Sequence, residues 1–133
     1  MQYLSLTPNL MVDDVNAMVD FYCTTLGLEL RAKVPESGRY NWAMVGSGGL
    51  SLMFQTRESL VDARIAELTD WRGETLAKLR AVITAVSGVE ELYERIREKV
   101  TVAVEPHTTF YGAREFVIED PSGYFVCFAE TPS

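Results

Sequence analysis

Val12-Asp13-Asp14-Val15-Asn16-Ala17-Met18-Val19-Asp20-Phe21-Tyr22, residues 12 to 22, is answered further along the chain by Val86-Ser87-Gly88-Val89-Glu90-Glu91-Leu92-Tyr93-Glu94-Arg95-Ile96. One constant offset relates the two runs (86 − 12 = 74). Val15, Met18, Val19, Tyr22 and Leu26 form one apolar series; Val89, Leu92, Tyr93, Ile96 and Val100 form the other. Spacings of this kind mark the stripe of a helix lying on a sheet. An apolar strand precedes each helix, over 4–12 and 81–86, and a glycine turn followed by a strand closes each unit. The first closure is Gly46-Ser47-Gly48-Gly49 before 50–55, the second Asp120-Pro121-Ser122-Gly123 before 124–130. The reading is an α+β chain of two tandem β-α-β-β-β modules in a single domain, 1–133. Module one covers 1–56, a connector 57–79 and module two 80–133. A duplicated unit makes two half-sites, and function is expected between them.

The remaining elements follow from local chemistry. Asp13 or Asp14 can cap the first helix by accepting N–H bonds from its first turn. Gly27 stands where a left-handed C-terminal cap is wanted. Strands are expected over 28–34 and 40–45, with Glu36-Ser37-Gly38 as the turn between them. In module two the expected order is a helix over 89–99, a strand over 100–104, a loop over 106–112 and a strand over 114–119. The connector is richer in charge. Val61, Ile65 and Leu68 have helical spacing there, and Arg72-Gly73 reads as a break after Trp71.

The chain has 133 residues, of which 47% are hydrophobic and 23% charged, enough apolar content for a core without disulfides. Cys23 and Cys127 read as reduced, buried thiols of a cytoplasmic protein. No apolar run approaches the roughly 20 residues of a membrane span. The start of the chain lacks the basic-then-apolar pattern of a signal peptide. A net charge of −7 argues against a nucleic-acid partner, which demands clustered Lys and Arg.

The pattern resembles the vicinal oxygen chelate superfamily of glyoxalase I, extradiol dioxygenases, fosfomycin-resistance enzymes and bleomycin-resistance proteins. Pro8-Asn9-Leu10-Met11-Val12-Asp13-Asp14-Val15, Phe21-Tyr22 and Leu26-Gly27-Leu28 carry the resemblance in the first half. Tyr111-Gly112-Ala113-Arg114-Glu115-Phe116 and Asp120-Pro121-Ser122-Gly123 carry it in the second. The run from Gly112 to Gly123 looks most like the bleomycin-resistance branch. The resemblance implies curled mixed sheets around a cleft, each sheet with a helix on its convex side. It also implies a homodimer, because family members commonly pair their modules within or between chains to close open sheet edges.

Catalytic members of such a family hold a divalent metal with His, Glu or Gln, donors that sit at about 2.0–2.2 Å. By the resemblance, the donor positions of this chain fall on Thr7, Met53, Ala81 and Cys127. A shift of one residue does not restore a site, since residues 50–54 hold no Asp, Glu, His or Gln and residues 4–9 hold no His or carboxylate. The lone histidine, His107, is expected in a loop. No metal, no cofactor and no catalytic residue is therefore assigned. Neither a Gly-x-Ser-x-Gly elbow nor a phosphate loop is present. Arg114 with Glu115 reads either as a ligand-orienting pair or as a strand-edge ion pair, and Asp120 as an acceptor of turn N–H bonds.

What remains is an apolar, aromatic cleft. Strand alternation turns Thr7, Asn9 and Met11 inward from strand one, Tyr40, Trp42 and Met44 from strand three, and Ser51, Met53 and Gln55 from strand four. Phe110, Tyr111 and Trp71 are placed at the rim, and Arg114 and Cys127 join the candidate ligand-binding set. Aromatics with a few polar groups are the usual lining of a small-molecule pocket. The leading reading is metal-free binding of a small molecule, planar or cationic, by a protein of the antibiotic- or toxin-sequestering type. The alternative is a lyase, isomerase or dioxygenase with a non-standard or absent metal site.

Overall fold

The computed structural model describes residues 1–56, 59 and 81–131. The connector expectations at Val61, Ile65, Leu68, Trp71 and Arg72-Gly73 lie outside the described residues. The chain forms two compact units, 1–73 and 74–133.

In the first unit, β1 (Asn9–Val12) leads into α1 (Val15–Asp20), which continues as a π-helical turn, Phe21–Thr25. β2 (Glu29–Val34), β3 (Trp42–Ser47) and β4 (Leu50–Thr56) follow. The sheet order is β1-β4-β3-β2, with β1 parallel to β4 and the other pairs antiparallel. The second unit repeats this with β5 (Ala81–Ala85), α2 (Val89–Ile96), β6 (Thr101–Thr108), β7 (Arg114–Glu119) and β8 (Phe125–Glu130), in the order β5-β8-β7-β6. The repeat extends to register. Asn9 pairs with Met53, and Ile83 with Cys127, each residue displaced by the same 74 positions. The two β-α-β-β-β modules expected from the sequence are present, as two open four-stranded mixed sheets.

Each helix covers one face of its own sheet. Met18 and Tyr22 pack on Ala43, Val45, Leu52 and Phe54, all of them buried, with the Tyr22 and Phe54 rings 5.1 Å apart. In the second unit Val89 and Ile96 lie over Phe116, Ile118, Val126 and Phe128, and Phe116 stacks at 5.1 Å from Tyr93 and 5.2 Å from Phe128. Period-two alternation sends the intervening residues of β3, β4, β7 and β8 to the opposite face.

The two helices start differently. Asp14 caps α1, its Oδ1 accepting from the Ala17 N–H at 3.1 Å. Gly88 stands at the N-cap of α2 with φ +80°, a backbone state that glycine adopts without steric cost, and it has no capping side chain. Glu130 on β8 supplies the missing acceptor, taking the N–H groups of Gly88 at 2.8 Å and Val89 at 3.1 Å. Those two bonds lower the carboxyl's pKa. Glu130 therefore favours the folded state above the ordinary glutamate range, and that contribution is lost as pH falls through the lowered value.

The first strand is shorter than expected, beginning at Asn9 and not at Leu4. Pro8 has no N–H to give to a ladder, although its carbonyl accepts from Met53 at 2.8 Å. Tyr3, Leu4 and Leu6 are left exposed. β6 is longer than expected and runs through Pro106 and His107, which had been assigned to a loop. It is the edge strand, where a proline is tolerated, and its pairing with β7 is irregular between Val104 and His107. The turns closing the modules also differ by one residue. Ser47 pairs with Leu50 across two residues, whereas the Asp120 N–H reaches the Tyr124 carbonyl, at 2.8 Å, across three. Asp120 is buried and accepts from Ser122 and Tyr124, as its turn position predicts.

Candidate functional site

On the first unit, the face opposite α1 gathers Asn9 and Met11 from β1, Trp42 and Met44 from β3, and Ser51, Met53 and Gln55 from β4. Registers Asn9–Met53, Met11–Gln55, Trp42–Gln55 and Met44–Met53 fix them side by side. All but the exposed Asn9 are half-buried, and none of the seven carries a charge. Asn9 Nδ2 donates to Gln55 Oε1 at 2.9 Å, which orients the two amides on this face. All seven strand residues were expected to point inward, together with Thr7 and Tyr40. Thr7 is half-buried but precedes β1.

Tyr40 sits elsewhere. It precedes β3, its N–H donates to Asn16 Oδ1 at 2.8 Å, and Lys33 Nζ lies 5.3 Å from its ring centroid and 3.5 Å from its hydroxyl. Its aromatic face already carries a lysine, and its backbone is tied to α1 rather than to the Trp42 side of the sheet.

On the second unit, the face opposite α2 holds Glu115, Val117 and Glu119 from β7, and Phe125, Cys127 and Ala129 from β8, with His107 across from Glu115 on β6. Glu115 is the polar centre. Its carboxylate accepts from the Tyr111 hydroxyl at 3.3 Å and from the Cys127 thiol, and His107 Nε2 lies 3.6 Å away. Burial, the Glu115 charge and that hydrogen bond push the Cys127 pKa up to about 11. Cys127 is thus a protonated thiol at neutral pH, not a thiolate. Phe110, fully exposed, meets Tyr111 edge-on at 5.0 Å in the loop before β7.

Arg114 turns to the other face. It forms an ion pair with Glu90 of α2, and its Nη1 reaches Thr108 Oγ1 at 3.5 Å. The expected Arg114–Glu115 pairing does not form, because neighbours on a strand point to opposite faces. The sequence reading paired Glu115 with Arg114 and put Arg114 alone in the candidate ligand-binding set. The alternation of Phe116 and Ile118, both buried, was the signal that put Glu115 on the open side.

The donor set does not fit a divalent metal of the family type. Asn9 and Met53 are partners on β1 and β4, and Ile83 and Cys127 on β5 and β8, so the matched positions on β4 and β8 offer a thioether and a protonated thiol. Among the described residues, no group of three His, Cys, Asp or Glu side chains is arranged to hold a metal ion. Among them, too, no helix is long and apolar enough to cross a membrane.

Several solved structures share this fold. TioX from Micromonospora sp. ML1 superposes with a TM-score of 0.80 at 19% identity, covering 98% of this chain and 100% of that one. TnmS3, an antibiotic binding protein from Streptomyces sp. CB03234, gives 0.72 at 22% identity, with 98% of each chain covered. The bleomycin-binding protein of bleomycin-producing Streptomyces verticillus, in complex with copper(II)-bleomycin, gives 0.63 at 22% identity, covering 100% of this chain and 98% of that one. At these identities the likeness speaks for the fold alone. No curated protein matches the chain. The family model of the glyoxalase/bleomycin resistance protein/dioxygenase superfamily matches residues 4–128, and the chain belongs to that superfamily.

Proposed function

We propose that this protein binds a small organic molecule and holds it without breaking a bond, as a sequestering protein does, with no metal taking part. The observation that carries this reading is the uncharged face of Met11, Trp42, Met44, Ser51, Met53 and Gln55, all half-buried, with the exposed Asn9 at its side. Methionines give such a surface adaptable, polarizable contacts, and an indole gives it a rigid planar one. The paired amides of Asn9 and Gln55 provide hydrogen-bonding groups beside them. Two fold neighbours named for binding an antibiotic and bleomycin support the same reading. A ligand of planar, aromatic, neutral-to-cationic character matches the indole face and the net charge of −7.

The test is a titration with 9-aminoacridine, followed by Trp42 emission in a Trp71→Phe background. Binding should quench the indole and raise the melting temperature, and Trp42→Ala, followed by the emission of the acridine itself, should bind at least about tenfold more weakly, or about 1.4 kcal/mol. Unchanged affinity in Trp42→Ala overturns the assignment of this face.

A homodimer belongs to the same proposal. Tyr3, Leu4 and Leu6 are 93%, 87% and 84% exposed, an apolar row that a second copy would cover. Light scattering at micromolar concentration should give twice 14.9 kDa. A monomer there, unchanged on tenfold concentration, removes the dimer from the proposal.

A further inference from the structure

We propose that Glu115 is an anchor for a cationic group of a small molecule, an ammonium, amidinium or protonated ring nitrogen, received within the second unit between its carboxylate and the aromatic pair Phe110 and Tyr111. The proposal rests on the reading that this protein binds a small molecule, and it stands on the second unit alone.

The side chain of Glu115 is 17% exposed, on a sheet face shared with His107, Val117, Glu119, Phe125, Cys127 and Ala129. Taking a carboxylate out of water is costly unless a cation or several donors compensate. Among the described residues the compensation is weak. The Tyr111 hydroxyl at 3.3 Å and the Cys127 thiol are neutral donors, and His107 at 3.6 Å is beyond hydrogen-bond length and charged only when protonated. The arginine next in sequence, Arg114, is committed to Glu90 on the opposite face. The other charged group on this face of β7 is Glu119, four residues on and of like sign. A cation is the one kind of group that improves every one of these terms.

The loop before β7 gives that cation a second contact. Phe110 is fully exposed, and Tyr111 is 62% exposed while its hydroxyl points back to Glu115. Exposed rings beside a carboxylate favour a flat cation, which can meet the π-face and the charge together.

The experiment compares 9-aminoacridine, a cation at pH 8, with acridine, its neutral counterpart at that pH, by isothermal titration calorimetry. Wild type should prefer the cation at least about tenfold. Glu115→Gln should abolish the preference while acridine affinity stays the same. Glu119→Gln, the same change of net charge on the same face, should keep it. Equal affinity of wild type for both compounds, or a preference that survives in Glu115→Gln, overturns the anchor and leaves the small-molecule reading standing. A preference lost equally in Glu119→Gln assigns it to the general negative field and also overturns the anchor. If neither compound binds wild type, the small-molecule reading falls and the anchor with it. Glu115→Asp, which keeps the charge, should retain part of the preference and guards against loss through misfolding.

Discussion

Phe116→Ala should lower the unfolding free energy by about 3–5 kcal/mol, out of the roughly 5–15 kcal/mol that a domain possesses. Phe116 has no exposed surface and is clasped between Tyr93 and Phe128, at 5.1 and 5.2 Å. Truncation removes the transfer free energy of the ring and leaves a void that helix and sheet can fill only by moving apart. Two aromatic neighbours also lose their ring contacts, edge-on from Tyr93 and tilted from Phe128, so collapse around the gap is poor. Urea denaturation followed by circular dichroism measures the change. Phe110→Ala deletes the same ring from a fully exposed position and should alter stability by no more than about 0.5 kcal/mol. A loss below 1 kcal/mol for Phe116→Ala would contradict its place in the core.

Cys127 should react with iodoacetamide at pH 8 about 100 times more slowly than a free thiol. Its pKa is raised from 9.0 to about 11, first by burial, then by the charge of Glu115 and by the hydrogen bond to it. Two pKa units leave about 100-fold less thiolate at a given pH below both values, and thiolate is the reacting species. The measurement uses Cys23→Ser, so that one thiol remains. Adding Glu115→Gln should speed the reaction several-fold without restoring the free rate, because burial is the larger cause. The same shift has a consequence for stability. The folded state holds this proton more tightly than the unfolded chain does. The contribution is complete below the unfolded value near 9 and disappears as pH rises towards 11. A reaction as fast as that of a free thiol would show Cys127 ionised and void the argument.

The fold was legible in the sequence because duplication writes the same pattern twice. Val15, Met18 and Tyr22 could be checked against Val89, Leu92 and Ile96, and the offset holds in the strand pairing of Asn9 with Met53 and Ile83 with Cys127. What was legible of the candidate site came from alternation. Once Leu52 and Phe54 are assigned to the helix side, Ser51, Met53 and Gln55 can only be on the other. Tyr40 was misplaced because a strand boundary carries no periodic signal; it fell two residues before β3, where α1 holds its backbone. His107 was read as a loop residue because proline usually ends a strand, and only an edge position lets Pro106 continue one. Glu115 stayed outside the candidate set for a different reason. Sequence adjacency suggested a partnership with Arg114, whereas the pleat of a strand separates adjacent side chains and joins Glu115 to His107, Tyr111 and Cys127.

The single residue by which the two closing turns differ carries a lesson about inheritance. The two halves differ by one residue in this turn, between Asp120 and Tyr124 as against Ser47 and Leu50, while the strands after it keep the offset of 74. There it leaves every strand residue on its original side. The same change one strand position later would have turned Val126 and Phe128 outward and driven Cys127 and Ala129 against the helix. Length variation in such a chain is therefore confined by geometry to a few short hinges, and its descendants can diverge freely in what their faces bind while remaining unable to slip by one.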